Sequence, residues 1–425
     1  MDAELTKKIY SRVPVLIRES SNEGPECNPW GIRFSTMFHM SNDSHLFSDY
    51  DGGEHLPLYE AKMIHQFDHR WASYGVTSDG KDEADDVPLE DKQNPDFIVR
   101  PRYWVKEREV LARLARVPRA VAQAYTSEDG RGLIAALANW VEVGRGDELL
   151  IESFHQSRNA LIALAGELFA VLPLDPKDWR DIKIKADALN YQPLSEFELQ
   201  LMKNSHDVWQ AADKLMDGRS PLWFIGFRDV TSAHVFRTVI ASILARAGAG
   251  NNMPLMLFDA PIAASNYAAL LANLSALTLD FVGRHKVGGN HLNFFIAKQL
   301  PILPPDSYCE IDLAFIVPRV LELTYTSHDL KPWANDLGHS GEPFPFEPVR
   351  RAQLRAELDA YFARLYGLTR DELRYILDPA DVEGPDYPSE TFRVLKNNDE
   401  KAFGEYRTGR LVLAAWDALE RQELR

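Results

Sequence analysis

The sequence predicts a mixed α/β (α+β) body with an N-terminal connector and a mainly helical C-terminal region. Three observations predict it. Short β-type apolar runs such as Trp223 to Phe227 sit between clusters of Gly, Asn and Pro, apolar stripes of helical period flank them, and the residues after 318 are helix-patterned. A chain of 425 residues, 45% apolar and 26% charged, has the length for two or three domains with real cores.

In chain order, a helix is expected around Glu4 to Arg18, followed by NPWGIRFSTMFHM, an alternating aromatic and aliphatic run that reads as a strand. Next comes MIHQFDHR (63 to 70), where the spacing predicts a helix burying Tyr59, Met63 and Phe67. Lys62, His65, Asp68, His69 and Arg70 would lie on its polar side. The acidic stretch SDGKDEADDVPLEDKQNPD reads as a solvated linker over 78–96. FIVRPRYWVKEREV begins extended, because Pro101 disfavours helix before it, and turns helical near Lys106. GLIAALANWVEV and NALIALAGELFAVL, between 130 and 172, read as core-packing helices. After the Trp223 to Phe227 strand, Gly248, Gly250, Asn251, Asn252 and Pro254 mark a tight loop into another strand. Ser265 is the expected N-cap of one helix through SNYAALLANLSALTLDFVGRH. Pro301, Pro304 and Pro305 close that domain, and RRAQLRAELDAYFARLYGL presents Leu354, Leu358, Tyr361, Phe362 and Leu365 on one face before stopping at Gly367. The expected divisions are therefore 1–77, 78–96, 97–305 and 306–425.

Net charge is −16, which argues against a simple nucleic-acid binder, since phosphate attraction rests on Lys and Arg. The distribution is uneven. Residues 1 to 100 carry 10 basic and 19 acidic side chains, whereas residues 219 to 303 hold Arg219, Arg228, Arg237, Arg246, Arg284, Lys286 and Lys298 against Asp229, Asp259 and Asp280. A polyanion would sit on that acid-poor segment. Cys27 and Cys309 form no CxxC pair and no apolar run reaches membrane-spanning length, so a reducing, cytoplasmic setting without membrane contact is expected.

His65 and His69 stand four apart, the spacing of the HExxH zinc proteases, but Gln66 occupies the position where such an enzyme needs a carboxylate base. A metal-dependent nuclease or hydrolase using His65, Asp68 and His69 is the alternative that this motif keeps open. Other catalytic signatures are missing. ARAGAGNN follows a helix rather than opening one, so it lacks the order that holds a pyrophosphate, and neither GxxxxGK[ST] nor GxSxG occurs. DWRDIKIK (178 to 185) has Asp181, Lys183 and Lys185 without a second acid to hold magnesium beside the lysine. More informative are FRDVTSAHVFRT and GRHKVGGNHLN, the latter read as a loop. They gather Arg228, Thr231, Arg237, Arg284, Lys286, Asn290, His291 and Asn293, donors suited to phosphate oxygens and base edges.

Eight blocks occur in order: PWGIRFSTMFHMSNDSHLF, PLYEAKMIHQFDHRWASY, RPRYWVKEREV, GFRDVTSAHVFRTVIASI, KVGGNHLNFFIAKQLPILPP, PRVLELTYTSHDLKPWANDLG, RAELDAYFARLYGL and GEYRTGRLVLAAWDAL. Together they resemble the C-terminal half of large adenine-specific DNA methylases of restriction and phage-defence systems, of the type IIG and DISARM kinds. The 97–305 stretch is similar to a TaqI-like or type I specificity-subunit target recognition domain. Ala61 stands where the motif usually has glycine, and 378 to 390 diverges. The resemblance does not extend to the catalytic half, whose S-adenosylmethionine loop and [ND]PP[YFW] motif are absent; Asn28-Pro29-Trp30 is the nearest string.

The resemblance thus implies a specificity module that is non-catalytic by itself, binds double-stranded DNA and acts with a separate adenine methylase. No cofactor is expected in this chain, and S-adenosylmethionine is expected on that partner. A truncated methylase remnant is the other alternative. The eight residues gathered above are the expected DNA contacts.

Overall fold

The computed structural model describes residues 1–20, 24–76, 82–143, 191–258, 262–388 and 391–424. By its internal contacts the chain divides into two units: Met1–His45, Pro57–Arg102 and Trp223–Arg425 form the first, Leu46–Leu56 and Tyr103–Leu222 the second. The expected divisions at 77, 96 and 305 fall elsewhere. Residues 82–86 are not a free linker but a strand, Asp82–Asp86, paired antiparallel with Ala72–Val76 from Ala72 opposite Asp86 to Val76 opposite Asp82. Its exposed acids suit an edge strand, where like charge discourages further pairing.

The first unit is α+β. Its antiparallel sheet runs Ile32–Ser35, Leu255–Phe258, Trp223–Phe227, Ala241–Ala245 in spatial order, with Ile32 opposite Phe258, Leu255 opposite Gly226 and Phe224 opposite Leu244. Trp223–Phe227 is buried along its whole length, which explains why it reads as a continuous apolar run rather than an alternating one. The core continues from this sheet into helices Ala264–Ser275, Glu310–Thr324, Pro348–Leu365 and Arg407–Glu420. The single helix expected over 265–285 breaks at Ala276. Its N-cap is Ala263, not Ser265, and makes no side-chain cap bond. Leu277, at the start of the following helix Leu277–Lys286, instead donates its N–H to Asp359 Oδ1 at 2.7 Å, a cap supplied from elsewhere in the chain.

The N-terminal helix spans Asp2–Arg12 only. Beyond it the backbone is extended and pairs with the proline-rich stretch, Leu16 N–H donating to Leu300 O at 2.8 Å and Ile302 N–H to Pro14 O at 3.1 Å. Trp30, almost wholly buried, donates its indole N–H to Leu303 O. At the other end, Pro348 opens the long helix, and Gly367 with φ +72° follows its C-cap, as the sequence predicts.

The second unit is helical: Glu107–Leu114, Arg119–Thr126, Gly130–Val143, Glu196–Lys203 and Val208–Arg219 surround a core that includes Leu137, Trp140 and Leu215. Ser195 and Glu198 close a capping box on the fourth of these. The expected helix over NALIALAGELFAVL and the string DWRDIKIK lie outside the described residues.

Candidate nucleic-acid interface

The two segments that the sequence singles out lie side by side in the first unit. Leu292 N–H donates to Asp229 O at 2.7 Å, Thr231 N–H donates to Asn290 O at 3.0 Å, and Val230 bridges His291. The helix Leu277–Lys286 supports them. Asp280, with no exposed surface, accepts the backbone N–H groups of Thr238 at 2.9 Å and Val239 at 2.6 Å. One turn later Arg284 donates to the carbonyls of Ala233 (2.8 Å), Val235 (2.9 Å) and Phe236 (2.9 Å), while its Nε meets Asp280 Oδ2 at 3.0 Å. One carboxylate and one guanidinium therefore fix both sides of the 231–239 turn, using bonds that backbone groups would otherwise make to water.

This arrangement corrects part of the expectation. Arg284, His285 and Lys286 belong to a helix, not a loop. Arg284 is buried and its guanidinium also lies 4.5 Å over the Phe392 ring. Arg237 is buried too, turned inward to donate to Ser275 O, with Nε 3.7 Å from Asp280. Arg228 donates to Ile64 O and Lys62 O, and burial pulls its pKa down to about 10. Thr231 is buried with its hydroxyl on Thr238 O at 2.8 Å. These four residues brace the loops from within, so the loops' phosphate-binding capacity does not rest on them. The arginines were chosen for charge alone, and charge does not say whether a side chain meets solvent or buried carbonyls.

The remaining expected residues do reach the surface. Lys286, Asn290, His291 and Asn293 are exposed, together with Val230, His234, Val235 and Phe295, which the sequence reading missed. Asn293 spends its Oδ1 on Ile296 N–H as a helix cap. His291 Nδ1 lies 3.0 Å from Asp229 Oδ2, and Lys286 Nζ sits 3.3 Å from Gln299 Oε1. The face thus carries one lysine, amides, imidazoles and apolar side chains on a braced backbone. Such a set can make hydrogen bonds and apolar contacts to base edges but grips phosphate weakly.

HQFDH is a turn rather than a helix. His65 N–H donates to Asp68 O at 2.7 Å, Asp68 N–H returns to His65 O at 3.0 Å, and Phe67 adopts φ +59°. The two histidines meet different neighbours. His65 packs 4.4 Å from the Trp71 ring, and burial, followed by Arg228, holds its pKa well below the ordinary imidazole range. His69 Nε2 meets the Asp329 carboxylate at 2.9 Å and Ser327 Oγ at 3.2 Å. Asp68 is paired with buried Lys92 at 2.7 Å; burial pushes its carboxyl up, but Lys92 and Arg351 outweigh that and hold it low. Arg70 is buried and donates to Lys92 O, Asn94 O, Phe97 O and Thr326 O. The polar side chains expected to face outward are a buried lattice joining this turn to 92–97 and 326–329. Among the described residues no group of three His, Cys, Asp or Glu side chains converges as a metal site.

Set beside known proteins, the chain matches no family model and no curated protein. No helix among the described residues is long and apolar enough to cross a membrane.

Proposed function

We propose that this chain is the sequence-reading module of an adenine-specific DNA methylation system of the restriction or phage-defence kind. It acts in the cytoplasm with a separately encoded methylase that carries S-adenosylmethionine and flips the target adenine. The observation that carries this reading is the braced double loop, 229–239 with 287–293, which holds Val230, His234, Val235, Asn290 and His291 outward on a backbone anchored by Asp280 and Arg284. Rigid placement of amide and imidazole groups suits base readout, because a bidentate or apolar base contact discriminates only when its donor is held in place. The eight ordered sequence blocks add the methylase association.

The test is binding to duplex DNA containing the methylation site, with and without the methylase from the same system. Asn290→Ala with His291→Ala is expected to abolish preference for the site while leaving thermal unfolding unchanged, since both side chains are exposed. Absence of binding in either condition would overturn the proposal.

A further inference from the structure

Within the first unit a cavity of about 210 Å³ opens between the HQFDH turn, the end of the Ala264–Ser275 helix, the Pro348–Leu365 helix and the last two helices, Arg393–Phe403 and Arg407–Glu420. Its polar lining is rich in donors that have nothing to bind. Ser275 is 5% exposed and its hydroxyl has no hydrogen-bond partner; the same is true of Arg237 Nε, in an equally buried side chain. Arg355 lines the same space, makes no hydrogen bond or ion pair with any described residue, and is held below the usual guanidinium range by burial and by the charge of Arg237. Arg407 stands at the rim, stacked 4.5 Å over Phe403, which is itself half exposed.

Two carboxylates share the lining, and both are already engaged by backbone. Asp359 accepts Leu277 N–H at 2.7 Å and Asp399 accepts Thr408 N–H at 2.7 Å. Neither forms an ion pair with Arg237, Arg355 or Arg407, although all five groups face one cavity. Gln66 closes the inner wall, its amide nitrogen spent on Val239 O and Ser275 O. Buried donors of this kind are nearly always satisfied, and cationic ones cost most when they are not. An oxyanion satisfies them together, because it accepts from a guanidinium and a hydroxyl at once.

We propose that this cavity binds a small phosphate-type oxyanion, with Arg355 and Arg237 as charged donors and Ser275 Oγ as a neutral one. Its volume is below the roughly 300–1,000 Å³ of drug-sized pockets, which limits the ligand to inorganic phosphate or the phosphate end of a mononucleotide. The site is separate from the braced loops, so this inference does not depend on the DNA reading.

Calorimetric titration of the full chain in phosphate-free buffer, with inorganic phosphate, sulfate and adenosine monophosphate as probes, tests it. Saturable one-to-one binding of phosphate or the nucleotide is expected, with a raised unfolding temperature. Tighter binding of the nucleotide assigns the phosphate to a monoester, and equal or weaker binding assigns it to the free ion. Arg355→Gln is expected to weaken binding roughly tenfold or more, and Ser275→Ala, which removes only an unbonded hydroxyl, by a smaller factor with an unchanged circular dichroism spectrum. Ser275→Ala decides the matter if Arg355→Gln fails to fold. No saturation with any probe up to about 10 mM, or binding unaltered in the folded variants, overturns the proposal.

Discussion

Asp280 has no exposed surface, and its carboxylate is balanced by Arg284 at 3.0 Å and by two backbone N–H groups. Arg284→Leu would leave that charge without its closest cation and release the three carbonyls of 233–236. Losing one partner of a buried pair costs about 3–5 kcal/mol, so urea denaturation should show a loss of that order. Asp359 makes a different prediction. Burial raises its carboxyl from the ordinary value to about 6, so the folded protein holds a proton there that the unfolded chain has released. Between about pH 4 and 6 the native state binds more protons, and this group's contribution to stability falls as pH rises, by on the order of 2–3 kcal/mol. Asp359→Asn keeps the acceptor for Leu277 N–H and removes the titration. Relative to the native protein, it should therefore gain stability as pH goes from 4.5 to about 6.5, measured by urea melts at each pH. An unchanged difference across that range would show that Asp359 is ionised throughout.

The supporting helix Leu277–Lys286 approaches the loops most closely at Gly283, where a Cβ would lie 2.8 Å from Val239 Cγ2. Gly283→Ala improves helix propensity by about 1 kcal/mol but overpacks a rigid contact costing roughly 1–3 kcal/mol, so a net loss of thermal stability is expected. No such closeness is visible in the string DFVGRHKVGG, which marks where sequence ceases to be informative. Legible features were those set by local rules: the apolar run of Trp223–Phe227, the Gly and Asn turn before Leu255, and the stop of the long helix at Gly367. HQFDH misled because a spacing of four is compatible with a helix but does not require one, and bonds between His65 and Asp68 settle a turn instead. The break at Ala276 was hidden for a related reason, since its compensating acceptor, Asp359, lies 82 residues away. Of the eight candidate contacts, residue type located the two segments, but only tertiary structure separated the exposed Lys286, Asn290, His291 and Asn293 from the inward arginines.

At the scale of the whole molecule the question is how a chain of net charge −16 would hold DNA. Each phosphate neutralised by Lys or Arg releases counterions and steepens the fall of affinity with salt by about 0.9 logarithmic units per contact. Arg228, Arg237 and Arg284 donate to internal carbonyls, and of the positively charged residues expected to touch DNA only Lys286 is exposed. On the proposed reading, binding by the chain alone should therefore be weak and only shallowly dependent on salt, with a logarithmic slope of about −1 to −3. Net negative charge adds long-range repulsion that suppresses non-specific association, which favours a reader whose contacts are to bases. Adding the methylase should steepen the slope, because the partner supplies the phosphate contacts. Substituting Lys286 with Gln should reduce it by about one unit, whereas Arg284→Leu should lower stability without that signature. Fluorescence anisotropy on a labelled duplex across a salt series measures all three. A steep slope for the isolated chain, unaffected by Lys286→Gln, would place the DNA on another face of the molecule.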